Sequence, residues 1–270
     1  MTDSRPLAVV TGASAGIGAA YARRLAADGY DLLLVARRRD RLEASASELA
    51  SRHGVRAEAL PADLTQDAEL KAVEDRIARA ENLEFLVNNA GFGAGGWFYK
   101  TSLDSHVAMH RLHVVATLRL THAALGQMTA RGKGAVVNVS SVAAFIPRPG
   151  TTSYYATKAW INFFTEGLCL ELKAERSPVR VQALCPGYTL TEFHDVMGFD
   201  RKLIPASLWM RAEDVVEASL RGLARGRLIV VPGWHYKLVV LFLRLLPRPL
   251  LHAVARLSPA RFGPQTRPRR

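Results

Sequence analysis

A tyrosine and a lysine stand four residues apart in the sequence YYATK, as Tyr154 and Lys158. The surrounding segment has helical period, so the two side chains share one face of a predicted helix. A phenol normally titrates near about pH 10, too high for efficient proton exchange at neutral pH, and a nearby ammonium lowers that pKa. We therefore predict Tyr154 as the catalytic acid or base and Lys158 as the cation that tunes it. Tyr155 is three residues from the lysine and lies on a shifted face.

A serine at the end of a predicted strand completes the candidate catalytic set. Ser141 follows the apolar run 135–139 and could donate a hydrogen bond to a carbonyl oxygen, orienting it toward Tyr154. Its neighbour Ser140 alternates to the other face of the strand, which favours Ser141. A half-buried tyrosine, a solvated lysine and a strand-end serine are each ordinary structural residues. Their joint presence predicts proton transfer at a carbonyl oxygen.

The turn TGASAGIG, between the first predicted strand and the first predicted helix, indicates an anion-binding site. Glycines permit a tight turn and let the backbone approach a pyrophosphate, whose charge is stabilised by the free N–H groups of a helix start. A tight strand-to-helix connection that binds no ligand would have a similar sequence. The predicted cofactor contacts in this turn are Gly12, Ser14, Gly16, Ile17 and Gly18.

The residues after the second predicted strand indicate which nicotinamide cofactor is used. An acidic residue about 20 positions after the glycine turn would hold the ribose 2′-hydroxyl of NAD. That region instead reads Ala36-Arg37-Arg38-Arg39. Guanidinium groups pair with a 2′-phosphate, whereas basic residues at a helix start are unfavourable without an anion. The sequence therefore predicts NADP(H), with Arg37 as the phosphate contact; a solvated basic turn is the alternative.

Several motifs in this order resemble the short-chain dehydrogenase/reductase family. They are TGxxxGxG, a following Asp, NNAG, Ser, YxxxK and a Pro-Gly turn, spread over about residues 7–233. The resemblance implies one Rossmann-type domain, a homo-oligomer, and Lys158 holding the nicotinamide ribose. It assigns Asp63 and Asn89 to the adenosine part, although Asp and Asn are also common turn residues. Around the Pro-Gly turn the predicted cofactor contacts are Pro186, Gly187, Thr189 and Thr191, with Thr191 on the carboxamide.

One position departs from the family pattern. The family usually has an asparagine in the helix after NNAG, where it helps to hold a water on the proton path from the lysine to solvent. The matching residue here is His113. Histidine can also bond water and shuttle protons, so we predict a modified relay through His113, with a purely structural histidine as the alternative.

Short apolar runs alternate with helical segments, which predicts an α/β fold: a doubly wound parallel sheet of about seven strands with helices on both faces. The predicted strands are 7–10, 31–35, 56–60, 84–87, 135–139, 179–184 and 227–231, and the predicted helices are 17–28, 39–53, 67–80, 103–131, 154–174 and 212–225. Residues 1–233 form one predicted domain. Within it, the irregular apolar segment 187–210, which includes Met197 and Phe199, is interpreted as a substrate flap; a packed helix pair is the alternative.

Composition and charge narrow the class of protein. The net charge is +12, but residues 234–270 carry eight Lys or Arg and no acid, which leaves 28 basic and 24 acidic residues in the first 233. Such a distribution disfavours nucleic-acid binding. Two cysteines without zinc-site spacing, and no recognisable targeting segment, favour a reducing cytoplasmic setting without a structural metal.

The predicted extension 234–270 has a different character. Residues 234–246 are almost entirely apolar but contain Lys237 and Arg244 and end at Pro247, well short of the roughly 20 residues that span a bilayer. The spacing predicts an interfacial helix on a membrane surface. Packing within the protein, over the substrate pocket or in a subunit interface, is an equal alternative.

These patterns together predict an NADP(H)-dependent oxidoreductase that interconverts a carbonyl and an alcohol. The aromatic run Trp97-Phe98-Tyr99 and the apolar flap indicate a hydrophobic substrate. The alternative function is a nucleotide-binding regulatory or scaffold protein of the same fold with little turnover. Intact Ser141, Tyr154 and Lys158 favour the enzyme, and His113 is the residue that favours the alternative.

Overall fold

The computed structural model describes residues 5–193 and 201–257 and contains one seven-stranded parallel sheet. The strand order is β3-β2-β1-β4-β5-β6-β7, so the chain reverses direction across the sheet between β1 and β4. The strands are β1 Leu7–Thr11, β2 Asp31–Ala36, β3 Ala57–Pro61, β4 Leu83–Asn88, β5 Ala135–Val139, β6 Arg180–Leu184 and β7 Ile229–Val230. This confirms the predicted doubly wound fold.

Helices cover both faces of the sheet, which explains why β1, β2 and β5 are buried at every position. Val10 and Leu34 point into one core, and Val9 and Leu33 point into the other, because successive side chains alternate between the faces. The described α-helices are α1 Gly16–Ala27, α2 Arg39–His53, α3 Asp67–Ala78, α4 Leu103–His110, α5 Thr117–Arg131, α6 Thr152–Ala174, α7 Ala212–Ala224, α8 Trp234–Leu245 and α9 Arg248–Leu257.

The single helix predicted over 103–131 is interrupted. Between α4 and α5 the segment Arg111–Ala116 adopts π-helical hydrogen bonding, with its carbonyls bonded one residue further along than in an α-helix. The helical period alone did not reveal this change. His113 lies inside the π-helical segment, so its ring is presented differently from that of a residue in a regular α-helix.

The predicted flap follows β6. In its described part it pairs Thr189 with Met210 in a parallel bridge and forms two short 3-10 turns, Arg201–Leu203 and Ala206–Leu208. Met197 and Phe199 lie outside the described residues.

The predicted C-terminal extension begins with α8, which packs on the sheet through one face. Tyr236, Val240 and Leu243 are buried, and Tyr236 and Val240 join a small core with Cys185 and Val231. This face of α8 therefore agrees with the alternative in which the extension packs within the protein. Among the residues that the structure describes, no helix is both long and apolar enough to cross a bilayer.

Candidate active site

The carboxyl ends of β1, β4, β5 and β6 bring the predicted motifs to one edge of the sheet. The glycine turn follows β1, NNAG begins at the end of β4, Ser141 follows β5, and the Pro-Gly turn follows β6. Ligands of open α/β sheets bind outside the carboxyl ends of the strands, at the point where the strand order reverses. That point lies between β1 and β4, beside the glycine turn.

The glycine turn has the geometry of a pyrophosphate cradle. Gly12 and Gly16 adopt positive φ angles of 66° and 56°, where other residues are strained. A Cβ on Gly18 would lie 2.3 Å from the carbonyl oxygen of Gly12, so α1 could not approach the turn with any larger residue. Ala15 at the N-cap offers no side-chain acceptor, and the first N–H groups of α1 are left without a capping bond. These groups fit an anion at the helix start.

Asn89 holds this turn from the neighbouring strand. Its side-chain amide donates to the carbonyl oxygen of Thr11 at 2.9 Å and to that of Gly12 at 3.3 Å. Its backbone N–H donates to the Thr11 hydroxyl oxygen at 2.9 Å. Asn89 therefore supports the cradle through the backbone, a contact that its predicted role at the adenosine part did not include.

The basic residues after β2 form one end of the cradle. Arg38 donates to the Ser14 hydroxyl at 3.2 Å, which places its guanidinium at the glycine turn. The Glu192 carboxylate pairs with both Arg38 and Arg41, each at 2.7 Å, and these cations lower the pKa of that carboxyl. Arg37, the predicted phosphate contact, is exposed, and the described residues give it no ion pair. The sequence analysis named Arg38 within the basic run but predicted only Arg37 as a phosphate contact.

The remaining predicted cofactor residues lie at the same edge. Asp63 accepts hydrogen bonds from the backbone and hydroxyl of Thr65, so its carboxylate is fixed in a local turn. A Cβ on Gly16 would lie 2.8 Å from Cγ2 of Thr191, which places that threonine against the start of α1. Other predicted residues shape this edge: Thr189 is buried and bonds the Gly187 carbonyl, Pro186 accepts from Val142, and Ile17 packs on the core.

The two serines after β5 have different surroundings. The Ser140 hydroxyl donates to the backbone carbonyl of Lys158 at 2.8 Å and is buried inside the fold. Ser141 instead lies close enough to Tyr154 to lower the pKa of the phenol, and its hydroxyl accepts a hydrogen bond from the Ala143 N–H at 3.1 Å. The structure therefore brings Ser141, and not Ser140, beside the phenol.

Burial governs the ionisation of both Tyr154 and Lys158. It raises the pKa of Tyr154 to about 12, against the smaller lowering effect of the nearby Ser141 hydroxyl. It lowers the pKa of the Lys158 ammonium to about 8. In the protein alone, desolvation outweighs a cation 5.8 Å from the ring centroid. The predicted lowering of the Tyr154 pKa, which also involved the charge of the oxidised nicotinamide, stays a prediction. The Lys158 ammonium donates to the carbonyl of Val139 at 2.8 Å.

His113 is buried among protein partners. Its Nε2 accepts the backbone N–H of Phe92 at 3.2 Å, so Nδ1 carries the proton and donates to the Thr157 hydroxyl at 2.9 Å. Burial, together with the charge of Lys158, holds the pKa of the ring well below its usual value. The ring packs edge-on to Tyr154 with centroids 5.9 Å apart. Both ring nitrogens have protein partners, which favours the structural alternative over the water relay.

A buried polar network behind the site escaped sequence reasoning. Asn88 donates to the Thr121 hydroxyl and to the Asn138 side chain, both at 2.9 Å, and Asn138 donates to the Thr165 hydroxyl at 3.0 Å. These bonds join β4, β5, α5 and α6. An asparagine within an otherwise apolar strand, as in AVVNV, is the signal that could have revealed the network.

Tyr236 is a second residue that sequence reasoning missed. Its hydroxyl accepts the N–H of Tyr188 at 3.0 Å and donates to the carbonyl of Leu208 at 2.7 Å, which fixes both ends of the loop after β6. A Cβ on Gly187 would lie 2.2 Å from the Tyr236 ring. Gly187 is therefore required by the close approach of α8. No pattern within 187–210 could reveal a partner on a later helix.

Within residues 5–193 and 201–257, His, Cys, Asp and Glu side chains form no group of three or more that could hold a metal ion.

The chain matches the short chain dehydrogenase family over residues 6–200. Together with the seven-stranded Rossmann-type fold, this match shows that the protein belongs to the short-chain dehydrogenase/reductase family and is an oxidoreductase of the nicotinamide-dependent class.

Relatives of known structure extend over nearly the whole chain. A short-chain dehydrogenase from Sphingobium yanoikuyae, solved in complex with NADPH, is 38% identical with a TM-score of 0.81 and covers 94% of this chain and 97% of its own. The bulky-bulky ketone specific alcohol dehydrogenase from Comamonas testosteroni is 34% identical with a TM-score of 0.77 and covers 94% of this chain and 99% of its own.

A curated relative is longer than this chain. The very-long-chain 3-oxoacyl-CoA reductase of Anas platyrhynchos is 35% identical over 196 residues, which is 70% of this chain but only 61% of the duck enzyme.

Proposed function

We propose that the protein is an NADP(H)-dependent reductase of hydrophobic ketones or aldehydes that also oxidises the corresponding alcohols. The observation that carries the proposal is the proximity of Ser141 to Tyr154 at the carboxyl edge of the sheet, beside the glycine turn that fits a pyrophosphate. A hydroxyl that orients a carbonyl oxygen and a phenol that protonates it are the two groups this reduction needs.

The mechanism assigns a task to each side chain. Ser141 donates a hydrogen bond to the substrate oxygen, and Tyr154 gives its proton to the same oxygen as the carbonyl becomes an alcohol. When bound, the nicotinamide supplies the hydride to the carbonyl carbon. Lys158 would hold the nicotinamide ribose, and its ammonium stabilises the tyrosinate that remains. A Tyr154 pKa of about 12 keeps the phenol protonated at neutral pH, which suits a proton donor.

Preference for NADP(H) rests on the basic end of the cradle. Arg38 already contacts Ser14 in the glycine turn, and Arg37 is exposed beside it. A 2′-phosphate there would receive charge-assisted hydrogen bonds from these guanidinium groups, in place of the Glu192 carboxylate that now pairs with Arg38. The NADPH complex of the Sphingobium relative supports the same preference.

An apolar substrate is favoured by the side chains around Tyr154. The Phe193 ring, from the loop after β6, lies 5.8 Å from the Tyr154 ring, and His113 packs on another side as a neutral imidazole. Trp97, Phe98 and Tyr99 are exposed, and no described contact joins them to Tyr154. The relatives that act on bulky ketones and on very-long-chain acyl thioesters support a large apolar substrate.

Assembly of identical subunits is a separate part of the proposal. Large apolar side chains are exposed along α4 and α6 and in the π-helical segment between α4 and α5: Leu103, Val107, Val115, Phe163 and Leu170. A second copy of the chain would cover them. Light scattering should report a homo-oligomer, and Phe163→Asp should shift it toward monomer; a monomeric parent would contradict this part.

The function is tested by following NADPH oxidation with aldehydes, bulky ketones, diketones and acyl-thioester analogues. We expect turnover with at least one apolar carbonyl, loss of turnover in Tyr154→Phe, and near-parental turnover in the matched control Tyr155→Phe. Tight NADPH binding without turnover on any member of the panel would favour the regulatory or scaffold function instead.

A further inference from the structure

A basic cleft lies at the outer edge of the sheet, away from the catalytic residues. It has a volume of about 320 Å³ and is formed by α7, β7 and α8. Among the described residues that line it, five are basic and none is acidic: Arg221, Arg225, Arg227, Lys237 and Arg244. Its remaining wall is largely apolar and includes Ile229, Val231 and Val240.

Most of these charges have no acidic partner among the described residues. The ion pairs of residues 5–193 and 201–257 include none of Arg225, Arg227 and Lys237. Arg244 lies over the Phe145 ring, and Arg221 alone pairs with an acid, Glu217, at 3.3 Å. Like charges gathered in one cleft repel each other, so the arrangement favours an anionic ligand.

A second surface cleft shows that the absence of acids is particular to this one. That cleft also contains basic residues, Arg23 and Arg24, but Glu213 and Glu217 line it as well and pair with them. Its charges are balanced within the protein, whereas those of the basic cleft are not.

An apolar stripe runs beside the basic cleft along α8. Trp234, Leu238, Phe242 and Leu245 recur at helical spacing and are between 57% and 75% exposed. Lys237 and Arg244 form the adjacent row, which faces the cleft, while Tyr236, Val240 and Leu243 anchor the opposite face in the protein. Helix α8 thus presents large apolar side chains outward with cations along one border.

We propose that this face docks on an anionic phospholipid surface, with a headgroup phosphate in the basic cleft and the apolar stripe among the acyl chains. A free anion would explain the cleft but not four exposed apolar side chains next to it. A second copy would bring two unpaired basic clefts close together, which costs electrostatic energy. The sequence after residue 257 adds four more arginines and no acid, which strengthens attraction to an anionic surface.

The test is sedimentation of the full chain with phosphatidylcholine vesicles, with and without phosphatidylglycerol. We expect binding to the anionic vesicles only, weakening as salt is raised. The triple variant Arg225→Gln, Arg227→Gln, Lys237→Gln should bind about 10²-fold more weakly, since each basic residue near the surface contributes about fivefold. The matched control removes three exposed cations elsewhere, by Arg52→Gln, Lys71→Gln and Arg79→Gln, and should lose much less.

The apolar stripe is tested separately by Phe242→Ser and Leu245→Ser. Both side chains are exposed, so the fold should persist, as NADPH binding and circular dichroism would verify, while vesicle binding falls about tenfold or more. Three results would overturn the proposal: equal or absent binding to the two vesicle types, saturable binding of inorganic phosphate in the cleft without vesicle binding, or a dimer that these same variants dissociate.

Discussion

Charged and titratable side chains lie in opposite environments at the carboxyl edge and at the outer edge of the sheet. At the carboxyl edge, Lys158 and His113 are buried, and each bonds a protein group. At the outer edge, Arg225, Arg227 and Lys237 are exposed and lack described acidic partners. Buried groups whose polar atoms are hydrogen-bonded have fixed geometry and shifted pKa values, as catalytic residues often do. Unpaired exposed cations suit attraction to an external anion, which fits the proposed roles of the first region in the reaction and of the second in docking on a lipid surface.

If the two regions are independent, a change in one should leave the other intact. The largest expected effect is that of Tyr154→Phe, which removes the proton donor but keeps the ring against His113. Turnover should fall by about 10²–10⁴-fold, with NADPH binding and vesicle binding unchanged. Steady-state rates and a fluorescence titration measure the two site properties. A variant with near-parental turnover would refute the proton-transfer role.

A smaller effect is expected at the basic end of the cofactor cradle. Arg37→Gln and Arg38→Gln should each weaken NADPH binding by about tenfold or more, since a charge-assisted hydrogen bond contributes roughly 1.5–3 kcal/mol. NADH affinity should change little, because NADH lacks the 2′-phosphate. Fluorescence titration with each cofactor measures both affinities. If the parent protein bound NADH and NADPH equally tightly, the proposed preference for NADPH would be wrong.

The pH dependence of kcat/KM tests whether the Lys158 ammonium is required. Its ammonium has a pKa of about 8, so it is charged below that pH and neutral above it. The rate of reduction should therefore be steady below about pH 8 and fall several-fold above it, while Tyr154, with its pKa of about 12, stays protonated. Lys158→Arg should move the fall to higher pH. A flat parental profile would show that the ammonium is not required.

The smallest effect concerns His113. Its pKa is lowered by burial, so at acid pH the unfolded chain binds a proton that the folded ring does not. Stability should thus decrease as pH falls below about 6.5, the ordinary histidine value, and His113→Asn should weaken this dependence. Activity of His113→Asn should stay within a few-fold of the parent. Thermal unfolding across pH measures the first effect. His113→Leu, which can neither bond water nor move a proton, decides the second: near-parental activity favours the structural alternative, and a much larger loss would support the relay.

The sequence predicted the elements and residues whose signals are local. The glycine turn, NNAG and YxxxK are each only a few residues long. The apolar runs beside them locate the strands. It could not predict the contacts that join distant segments. Tyr236 meets Gly187 from a helix about 50 residues later, and the basic cleft joins Arg225 and Arg227 to Lys237 across β7. The π-helical turn at His113 was missed because apolar period does not distinguish it from an α-helix.

Transfer of a label from the cofactor to the product tests the central claim most directly. NADPH carrying deuterium at the transferable C4 position would be incubated with the protein and an apolar ketone from the panel, and the alcohol would be analysed by mass spectrometry. We expect one deuterium on the carbinol carbon of the product, and far less labelled alcohol when Tyr154→Phe replaces the parent. Unlabelled alcohol, or no alcohol from any carbonyl despite tight NADPH binding, would contradict hydride transfer as the function of this site.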